Sequence, residues 1–241
     1  IFLFKMKITY RPEIDGLRGI AVIAVVLYHS QIIIFEQKVF KGGFIGVDIF
    51  FVISGYLITS LILKELFFSD TFSFKHFFER RIRRILPVLL IVMLVSMPFA
   101  WIYMLPSSFV DFSKSILSSL GLNSNLYFWY SGLKYGAENS LLIPFLHTWS
   151  LSIEEQFYIL FPLVLLIIFR NFKKILIYFL AFGFIISIIF ADWASQNYSS
   201  LNFYVLPTRA WELLAGSILA YFEITKGRKN KIKILNTYFP I

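Results

Sequence analysis

Six long apolar stretches dominate this sequence and limit what it can fold into. Each has roughly 17 to 25 residues, the length that an α-helix needs to cross the hydrocarbon core of a bilayer. The stretches lie at residues 19–35, 44–63, 85–105, 147–169, 175–191 and 209–225. Hydrophobic residues make up 58% of the 241 and charged residues only 15%, and a soluble domain of this size could not bury that much apolar surface. The sequence therefore predicts an all-α, polytopic helical bundle with about six membrane spans.

Lysine and arginine are unevenly distributed between the segments that connect these stretches. If the N-terminus is cytoplasmic and all six stretches cross, the large basic clusters, including the one with Arg11 and Arg18, all lie inside. Only five of the 23 basic residues then lie outside or near the outer face: Lys38, Lys41, Lys114, Lys134 and Arg209. This pattern follows the positive-inside rule. It accounts for the net charge of +9 without nucleic acid as a partner.

Segment 107–146 does not fit the pattern of simple crossings. It mixes apolar residues with Asp111, Lys114 and several serines. If it crossed once, the basic cluster at 170–174 would move outside, so we predict a re-entrant or extracytoplasmic segment, which protein or water must surround at membrane depth. Residues 234–241 turn apolar again and resemble the start of another span. We therefore expect residues 1–241 to form a transmembrane domain that is truncated at its C-terminus.

Ionisable side chains inside the predicted spans need a reason to be there, because an acid costs at least ~2.5–3.5 kcal/mol in the bilayer, and five of them are candidates for a site. They are His29, Asp48, Glu154, Glu155 and Glu212. The helical rise places His29 roughly 16 Å from the inner boundary, and Asp48 and Glu154 roughly 8 and 10 Å from the outer one. Their similar depth favours a shared acid–base site in the outer half of the bilayer. The alternative is that these groups pair only to hold helices together.

A run of four arginines, Arg80, Arg81, Arg83 and Arg84, comes just before the third stretch. Such clusters commonly set topology or contact anionic lipid. A guanidinium also suits phosphate oxygens, because its N–H groups form a planar fork. The residues alone leave both interpretations open.

Other residue types limit the chemistry further. Cysteine is absent, which excludes disulfides, thiolate metal ligands and a cysteine nucleophile. The three histidines are too scattered to predict a metal site. The aromatic run at 127–130 is typical of an interfacial belt, and a platform for a sugar ring is the alternative.

Several motifs resemble the acyltransferase 3 family of bacterial membrane O-acyltransferases. The matching stretches follow one another at Tyr10–Ser30 (YRPEIDGLRGIAVIAVVLYHS), Gly42–Thr59, Arg80–Pro87 and His147–Pro162. Residues Phe203–Ala220 are similar to the branch that modifies lipopolysaccharide O-antigen and related surface glycans. The resemblance implies about ten transmembrane helices in a full-length member, located in the bacterial inner (cytoplasmic) membrane. Members of this branch often carry a C-terminal extracytoplasmic SGNH-type domain.

The resemblance also implies which residues bind the donor. The family's Arg-x-x-Arg pattern matches Arg81 and Arg84, which would engage acyl-CoA from the cytoplasm. Arg18 begins the family's Arg-x10-His pattern, and we assign it to the donor site with the other two. The implied donor substrate is acetyl-CoA or another short acyl-CoA, and no bound cofactor or metal is expected.

The same patterns imply a catalytic set. His29 completes the Arg-x10-His pattern and would act as general base on a hydroxyl or as a transient acyl carrier. Asp48 matches an acidic position in the second span and would orient the imidazole. The family's Ser-Leu-x-x-Glu-x-x-Tyr region falls on 150–158, where either Glu154 or Glu155 matches the acid.

The implied reaction moves an acetyl or other short acyl group from cytoplasmic acyl-CoA to a hydroxyl of an extracytoplasmic glycan, such as lipopolysaccharide O-antigen. Two rival functions come from other classes. A proton-coupled transporter of a small solute would use the intramembrane His, Asp and Glu as a relay, and a sensory or scaffolding protein would use them only for packing. The basic pair matched to CoA favours the enzyme. The expected partners are acyl-CoA, the glycan and the lipid bilayer.

Overall fold

A computed structural model describes residues 11–35, 37–38, 40–132 and 143–227 of the chain. Its helices are α1 (Pro12–His29), α2 (Ile45–Ser69), α3 (Phe74–Tyr103), α4 (Pro106–Leu120), α5 (Ser124–Tyr130), α6 (Thr148–Phe172), α7 (Leu176–Asn197), α8 (Ser199–Tyr204) and α9 (Leu206–Lys226). A 3₁₀ turn at Lys173–Ile175 joins α6 to α7, and the strands β1 (Ile33–Ile34) and β2 (Gln37–Lys38) form a hairpin. Within the described ranges these are the only strands, so the all-α prediction is confirmed.

Among the described residues, three helical segments are long and apolar enough to cross a membrane: Ile45–Ser69, Phe74–Tyr103 and Thr148–Asn197. The last has 50 residues, and a helix of that length would extend about 75 Å, more than twice the hydrocarbon thickness. It contains the predicted spans 147–169 and 175–191, on either side of the 3₁₀ turn. The chain is therefore a multi-pass membrane protein.

The first and last predicted spans, 19–35 and 209–225, fall on α1 and α9. Each of these helices carries charged side chains within its length, such as Arg18 in α1 and Glu212 in α9. Neither is among the described segments that meet the length and composition of a span. Their crossing of the membrane, and with it the count of six, stays a prediction.

Helix α1 ends earlier than the sequence predicts. The expectation of a helix through 19–35 is wrong beyond His29, because Gln31 has a φ of +51°, which an α-helix cannot accommodate. The chain then enters the hairpin, in which Ile33 pairs with Lys38 and Ile34 with Gln37. His29 is consequently the last residue of a helix rather than a residue near its middle.

In the described part of segment 107–146 the chain forms two short helices, α4, which begins one residue earlier at Pro106, and α5. At 15 and 7 residues they extend about 22 and 10 Å, less than a hydrocarbon core requires. Leu122, with a φ of +56°, lies in the break between them. A re-entrant or extracytoplasmic location for this segment stays a prediction. Residues 133–142 and the apolar tail at 234–241 lie outside the described residues.

The described chain forms two compact units. One contains the residues up to Phe68 and those from Leu213 onward, and the other contains Ser69–Glu212. In the second unit α3 and α6 are antiparallel, because Phe74 lies near Leu163–Asn171 while Met93 packs with Phe145 just before α6. This register determines which side chains of the two helices meet.

Hydroxyl and amide groups attach the break between α4 and α5 to the first half of α6. Ser124 Oγ lies 2.7 Å from Ser152 Oγ, and Gln156 donates from Nε2 to Asn125 Oδ1 at 2.8 Å and to the Leu122 carbonyl at 3.0 Å. Small residues that hydrogen-bond between helices are a common form of packing in membranes. They fix the helix that carries Glu154 and Glu155.

Candidate functional site

Arg81 and Glu155 face each other between α3 and α6. Arg81 Nη1 lies 3.6 Å from Glu155 Oε1, and the two side chains are only 19% and 9% exposed. The guanidinium carbon lies 3.6 Å from the centre of the Tyr158 ring and 5.2 Å from that of Phe77. A cation enclosed by aromatic rings away from water is stabilised more than one at an exposed surface. Arg81 is therefore held inside the second unit, not on its surface.

The contact between Arg81 and Glu155 is wider than a direct hydrogen bond between a guanidinium and a carboxylate, which measures about 2.7–2.9 Å. Glu155 Oε1 is buried and has no hydrogen-bond partner among the described residues. Arg84, one helical turn from Arg81, also interacts electrostatically with Glu155. The Glu155 carboxylate thus lies near two cations, and its Oε1 forms a direct hydrogen bond with neither.

Glu154 contacts the same cluster from another direction. Tyr158 Oη donates to Glu154 Oε2 at 3.1 Å, while the ring of Tyr158 lies against Arg81. The sequence left open which glutamate is relevant. In the structure Glu155 interacts with the arginines themselves, and Glu154 holds the tyrosine that supports Arg81.

The four arginines at 80–84 have different environments because a helix turns their side chains in different directions. Arg83 is 78% exposed and pairs with Glu79 at 2.7 Å on the helix surface. Arg80 and Arg84 are exposed as well, whereas Arg81 is 19% exposed. Arg81 contacts α6 in two ways, through an ion pair with Glu155 and through the ring of Tyr158.

The arginines belong to α3 rather than to a segment before it. Ser73 is the N-cap, and its side chain accepts a hydrogen bond from the His76 N–H at 3.4 Å. Serine is among the preferred residues at that position. Arg81 consequently lies seven residues into the helix, roughly 10 Å from its start. The sequence placed it at the inner face, just before the span.

His29 is exposed at the C-terminal end of α1, in the first unit. Its Nδ1 lies 2.8 Å from the Val25 carbonyl oxygen. A carbonyl can only accept, so in the neutral imidazole Nδ1 carries the proton and Nε2 carries the lone pair. The backbone therefore orients the ring in the tautomer that a general base or nucleophile at Nε2 requires.

Asp48 lies half-buried in the first turn of α2. A helix N-terminus favours a carboxylate at such a position. Close packing of α2 on α1 fixes the position of Asp48 along the axis of α1. A Cβ on Gly46 would overlap the Ala21 carbonyl and the Val25 side chain, so α2 passes this part of α1 at short distance. Asp48 then lies opposite the middle of α1, roughly 12 Å along the axis from His29.

The structure therefore places the predicted site residues in two groups. Glu154, Glu155, Arg81 and Arg84 belong to one unit, and Arg18, His29 and Asp48 belong to the other. Arg18 Nη1 lies 3.6 Å from Asp15 on its own helix. His29 and Asp48 are on neighbouring helices but at different positions along the helix axis. The orienting role predicted for Asp48 stays a prediction, since the Val25 carbonyl already accepts from the imidazole.

One cluster in the first unit has no counterpart among the residues predicted from the sequence. Arg11 Nη1 donates to both carboxylate oxygens of Glu223, at 2.9 and 3.1 Å, and also contacts Tyr56 Oη. Its Nε donates to Glu13 at 2.6 Å, and Tyr56 donates to Glu223 at 2.9 Å. Burial lowers the pKa of Arg11, but the bonds and charges of these three partners raise it more, so the net shift is upward. Arg11 is thus a permanent cation that joins α1, α2 and α9.

A second missed cluster lies in the other unit. Arg209 Nη1 pairs with Glu212 at 3.1 Å, and Glu212 is fully buried. The guanidinium carbon lies 5.7 Å from the Trp149 ring centre and 5.6 Å from that of Phe203. The sequence singled out Glu212 as an intramembrane acid and gave it no role. Its spacing of three from Arg209 on a helix was the signal that could have identified the pair.

Comparison with known proteins agrees with the motifs. Residues 11–239 match the acyltransferase 3 family, whose description is "Acyltransferase domain". The chain is 34% identical over 237 residues to O-acetyltransferase OatA of Staphylococcus aureus strain NCTC 8325 / PS 47, covering 93% of this chain and 37% of that protein. It is 37% identical over 221 residues to a putative O-acetyltransferase of Staphylococcus aureus strain MSSA476, covering 89% of this chain and 35% of that protein.

The chain thus spans little more than a third of the length of these relatives. No solved structure matches it. The family match extends over nearly all of the sequence and includes both groups of predicted site residues. The chain therefore belongs to the acyltransferase 3 family.

Proposed function

We propose that the chain forms transmembrane machinery of an O-acetyltransferase. The enzyme takes an acetyl or other short acyl group from cytoplasmic acyl-CoA. It transfers that group to a hydroxyl of an extracytoplasmic glycan, such as lipopolysaccharide O-antigen or a related surface polymer. The protein would lie in the bacterial inner membrane with its N-terminus in the cytoplasm. The main support from geometry is the enclosure of Arg81 by Tyr158, Phe77 and Glu155.

The environment of Arg81 suits a phosphate group of the donor. Tyr158 covers one face of the guanidinium at 3.6 Å, which leaves the in-plane N–H groups to donate. Glu155 lies 3.6 Å away without closing a direct hydrogen bond. A phosphate oxygen could therefore replace the carboxylate as the partner of Arg81 at small cost. Arg84, one turn along the same helix, would add a second positive charge.

His29 has the tautomer required for the transfer step. The acceptor hydroxyl would give its proton to Nε2 while its oxygen attacks the thioester carbonyl carbon. The carbon–sulfur bond then breaks, and the CoA thiolate takes the proton from the imidazolium. In the covalent alternative Nε2 itself attacks the thioester carbonyl carbon, and the carbon–sulfur bond breaks to release the CoA thiolate. The acceptor oxygen then attacks the acyl carbon, the bond from that carbon to Nε2 breaks, and the acceptor proton passes to the thiolate. Asp48 would stabilise the positive imidazolium in either route.

Two arginines of the same run test the donor assignment. Arg81→Gln removes the enclosed cation, and Arg83→Gln removes an exposed one that pairs with Glu79. Both lower the local positive charge by one, so topology is affected equally. In membranes containing the full-length protein, we expect Arg81→Gln to raise the KM for acetyl-CoA by about tenfold or more. Arg83→Gln should leave it unchanged, and an equal effect of both would refute the proposal.

A further inference from the structure

A cavity of about 430 Å³ lies between the start of α3 and the last third of α6. Its α6 wall is formed by Leu163, Leu166, Ile167, Arg170 and Asn171. These positions have the spacing i, i+3, i+4, i+7 and i+8, which places them on one face of a helix. The face is aliphatic over its first turn and polar over its last. Roughly 10 Å of helix axis separates Leu163 from Arg170.

The opposite wall of the cavity is aromatic. Phe72 and Phe74 line it, and their rings meet edge to face with centroids 5.0 Å apart. Phe78 stacks on Phe74, and Phe77 contacts Phe72. These contacts fix the two phenylalanines, so the cavity has an apolar wall on each side along most of its length.

The polar end of the cavity carries positive charge and hydrogen-bond donors. Arg170 and Asn171 are both exposed, and neither forms a hydrogen bond or an ion pair with another residue in the described part of the chain. Lys173 and Lys174 follow immediately in the 3₁₀ turn. A guanidinium and a side-chain amide at one edge of an apolar cleft can donate together to the oxygens of one phosphate.

The apolar part of the cleft is exposed. Leu163 is 47% and Ile167 60% exposed, and both lie in a segment whose length and composition suit a membrane span. A water-soluble nucleotide would find few polar partners along these walls. An acyl chain would find an apolar surface that ends at a cationic edge, which is the chemical gradient of a phospholipid. Basic pockets between transmembrane helices are known to accept anionic headgroups.

We propose that this cavity is a binding site for one anionic phospholipid. An acyl chain lies between Leu163–Ile167 and the two phenylalanines, and the phosphate is held by Arg170 and Asn171. The lysines at 173 and 174 add attraction for a net negative headgroup. The site is independent of the acyl-transfer proposal, because it requires neither the donor nor the acceptor.

The test uses full-length protein purified in mild detergent and titrated with phosphatidylglycerol or phosphatidylcholine, with bound lipid counted by native mass spectrometry. Arg170→Gln removes the cationic edge, and its control is Arg83→Gln, an exposed cation outside the cavity. Ile167→Trp fills the apolar part, and its control is Val164→Trp, a neighbour that does not line the cavity. We expect wild type and both controls to retain phosphatidylglycerol preferentially.

Arg170→Gln should weaken phosphatidylglycerol binding about tenfold and abolish the preference for it, and Ile167→Trp should weaken both lipids. Equal retention of the two lipids by wild type would overturn the proposal. So would identical behaviour of Arg170→Gln and Arg83→Gln. Release of the lipid by free CoA would instead assign the cleft to the donor. If Ile167→Trp does not fold, the comparison of Arg170→Gln with Arg83→Gln decides the question by itself.

Discussion

The crossing of α2 and α9 depends on two glycines and offers a sharp test of the first unit. A Cβ added to Gly55 would overlap the backbone of Leu213, and one on Gly216 would overlap Val52 and Tyr56. Beside this crossing Thr59 donates to Ser217 at 2.8 Å, and both side chains are buried. Small residues that let two backbones approach, with a hydroxyl bond alongside, are typical of helix pairs in membranes.

Gly55→Ala therefore forces the two helices apart. Overpacking of this kind costs about 1–3 kcal/mol, and separation by an ångström breaks the Thr59–Ser217 bond, which is worth about 0.5–1.5 kcal/mol. Because alanine has a higher helix propensity than glycine, the substitution also stabilises the helix by about 1 kcal/mol. We expect a net loss of about 1–3 kcal/mol in the free energy of unfolding. Gly19→Ala is the matched control, since a Cβ there meets nothing within 4 Å.

The measurement is reversible unfolding of the full-length protein in mixed micelles with increasing dodecyl sulfate, followed by circular dichroism. Thr59→Val provides a second readout, because it removes the hydrogen bond without adding volume. In the wild-type background Thr59→Val should lower the free energy of unfolding. In the Gly55→Ala background it should change that free energy very little, since the hydrogen bond is already broken. If Gly55→Ala is as stable as Gly19→Ala, or if the two changes are additive, the close crossing is not present.

Three further predictions concern the sites. His29→Gln should insert normally and lower glycan acetylation about 100-fold or more, as measured with radiolabelled acetyl-CoA, and a normal rate would remove His29 from the mechanism. Single cysteines replacing Lys174 and Ser199 should react with an impermeant maleimide only from the cytoplasm and only from outside, respectively; external labelling at Lys174 would show that the six-span topology is wrong. Glu155→Gln should tighten CoA binding by about fivefold in calorimetry, because loss of a competing ion pair frees up to about 1 kcal/mol at Arg81, and weaker binding would mean that Glu155 positions the arginine.

The membrane-spanning helices could be predicted because lipid imposes a length. Backbone groups must be paired inside a helix within hydrocarbon, so an apolar run of sufficient length has few alternatives. The stretches 44–63 and 85–105 accordingly coincide with α2 and α3 to within two residues at the start of α2 and the end of α3, although α3 begins eleven residues earlier, at Phe74. The extension follows from Ser73 as N-cap, a signal that hydropathy does not measure.

The end of α1 could not be predicted from hydropathy. Ile32, Ile33 and Ile34 continue the apolar run, and nothing in their composition separates a helix from a strand. The structure ends the helix through the backbone conformation of Gln31 and pairs the isoleucines in a hairpin. This difference moves His29 from the middle of a predicted helix to its last residue. Its depth in the membrane stays a prediction.

Contacts between residues that are far apart in the chain could not be predicted from the sequence either. The depth of each ionisable group was estimated from the edge of its own span, and such estimates contain no register between helices. Arg81 and Glu155 were therefore assigned to opposite halves of the bilayer, yet they lie 3.6 Å apart. Arg11 and Glu223 are separated by 212 residues, and a single sequence gives no signal that joins them.

The two interpretations of the arginine run are compatible once the helix is considered. A run of four cations with one residue between its pairs cannot point in one direction on a helix, because successive residues differ by about 100°. The exposed members, including Arg83 with its partner Glu79, remain at the surface and supply charge that biases topology. Arg81 turns into the space between Tyr158 and Glu155. Removing Arg83 should therefore affect insertion without affecting the donor, and removing Arg81 should affect both.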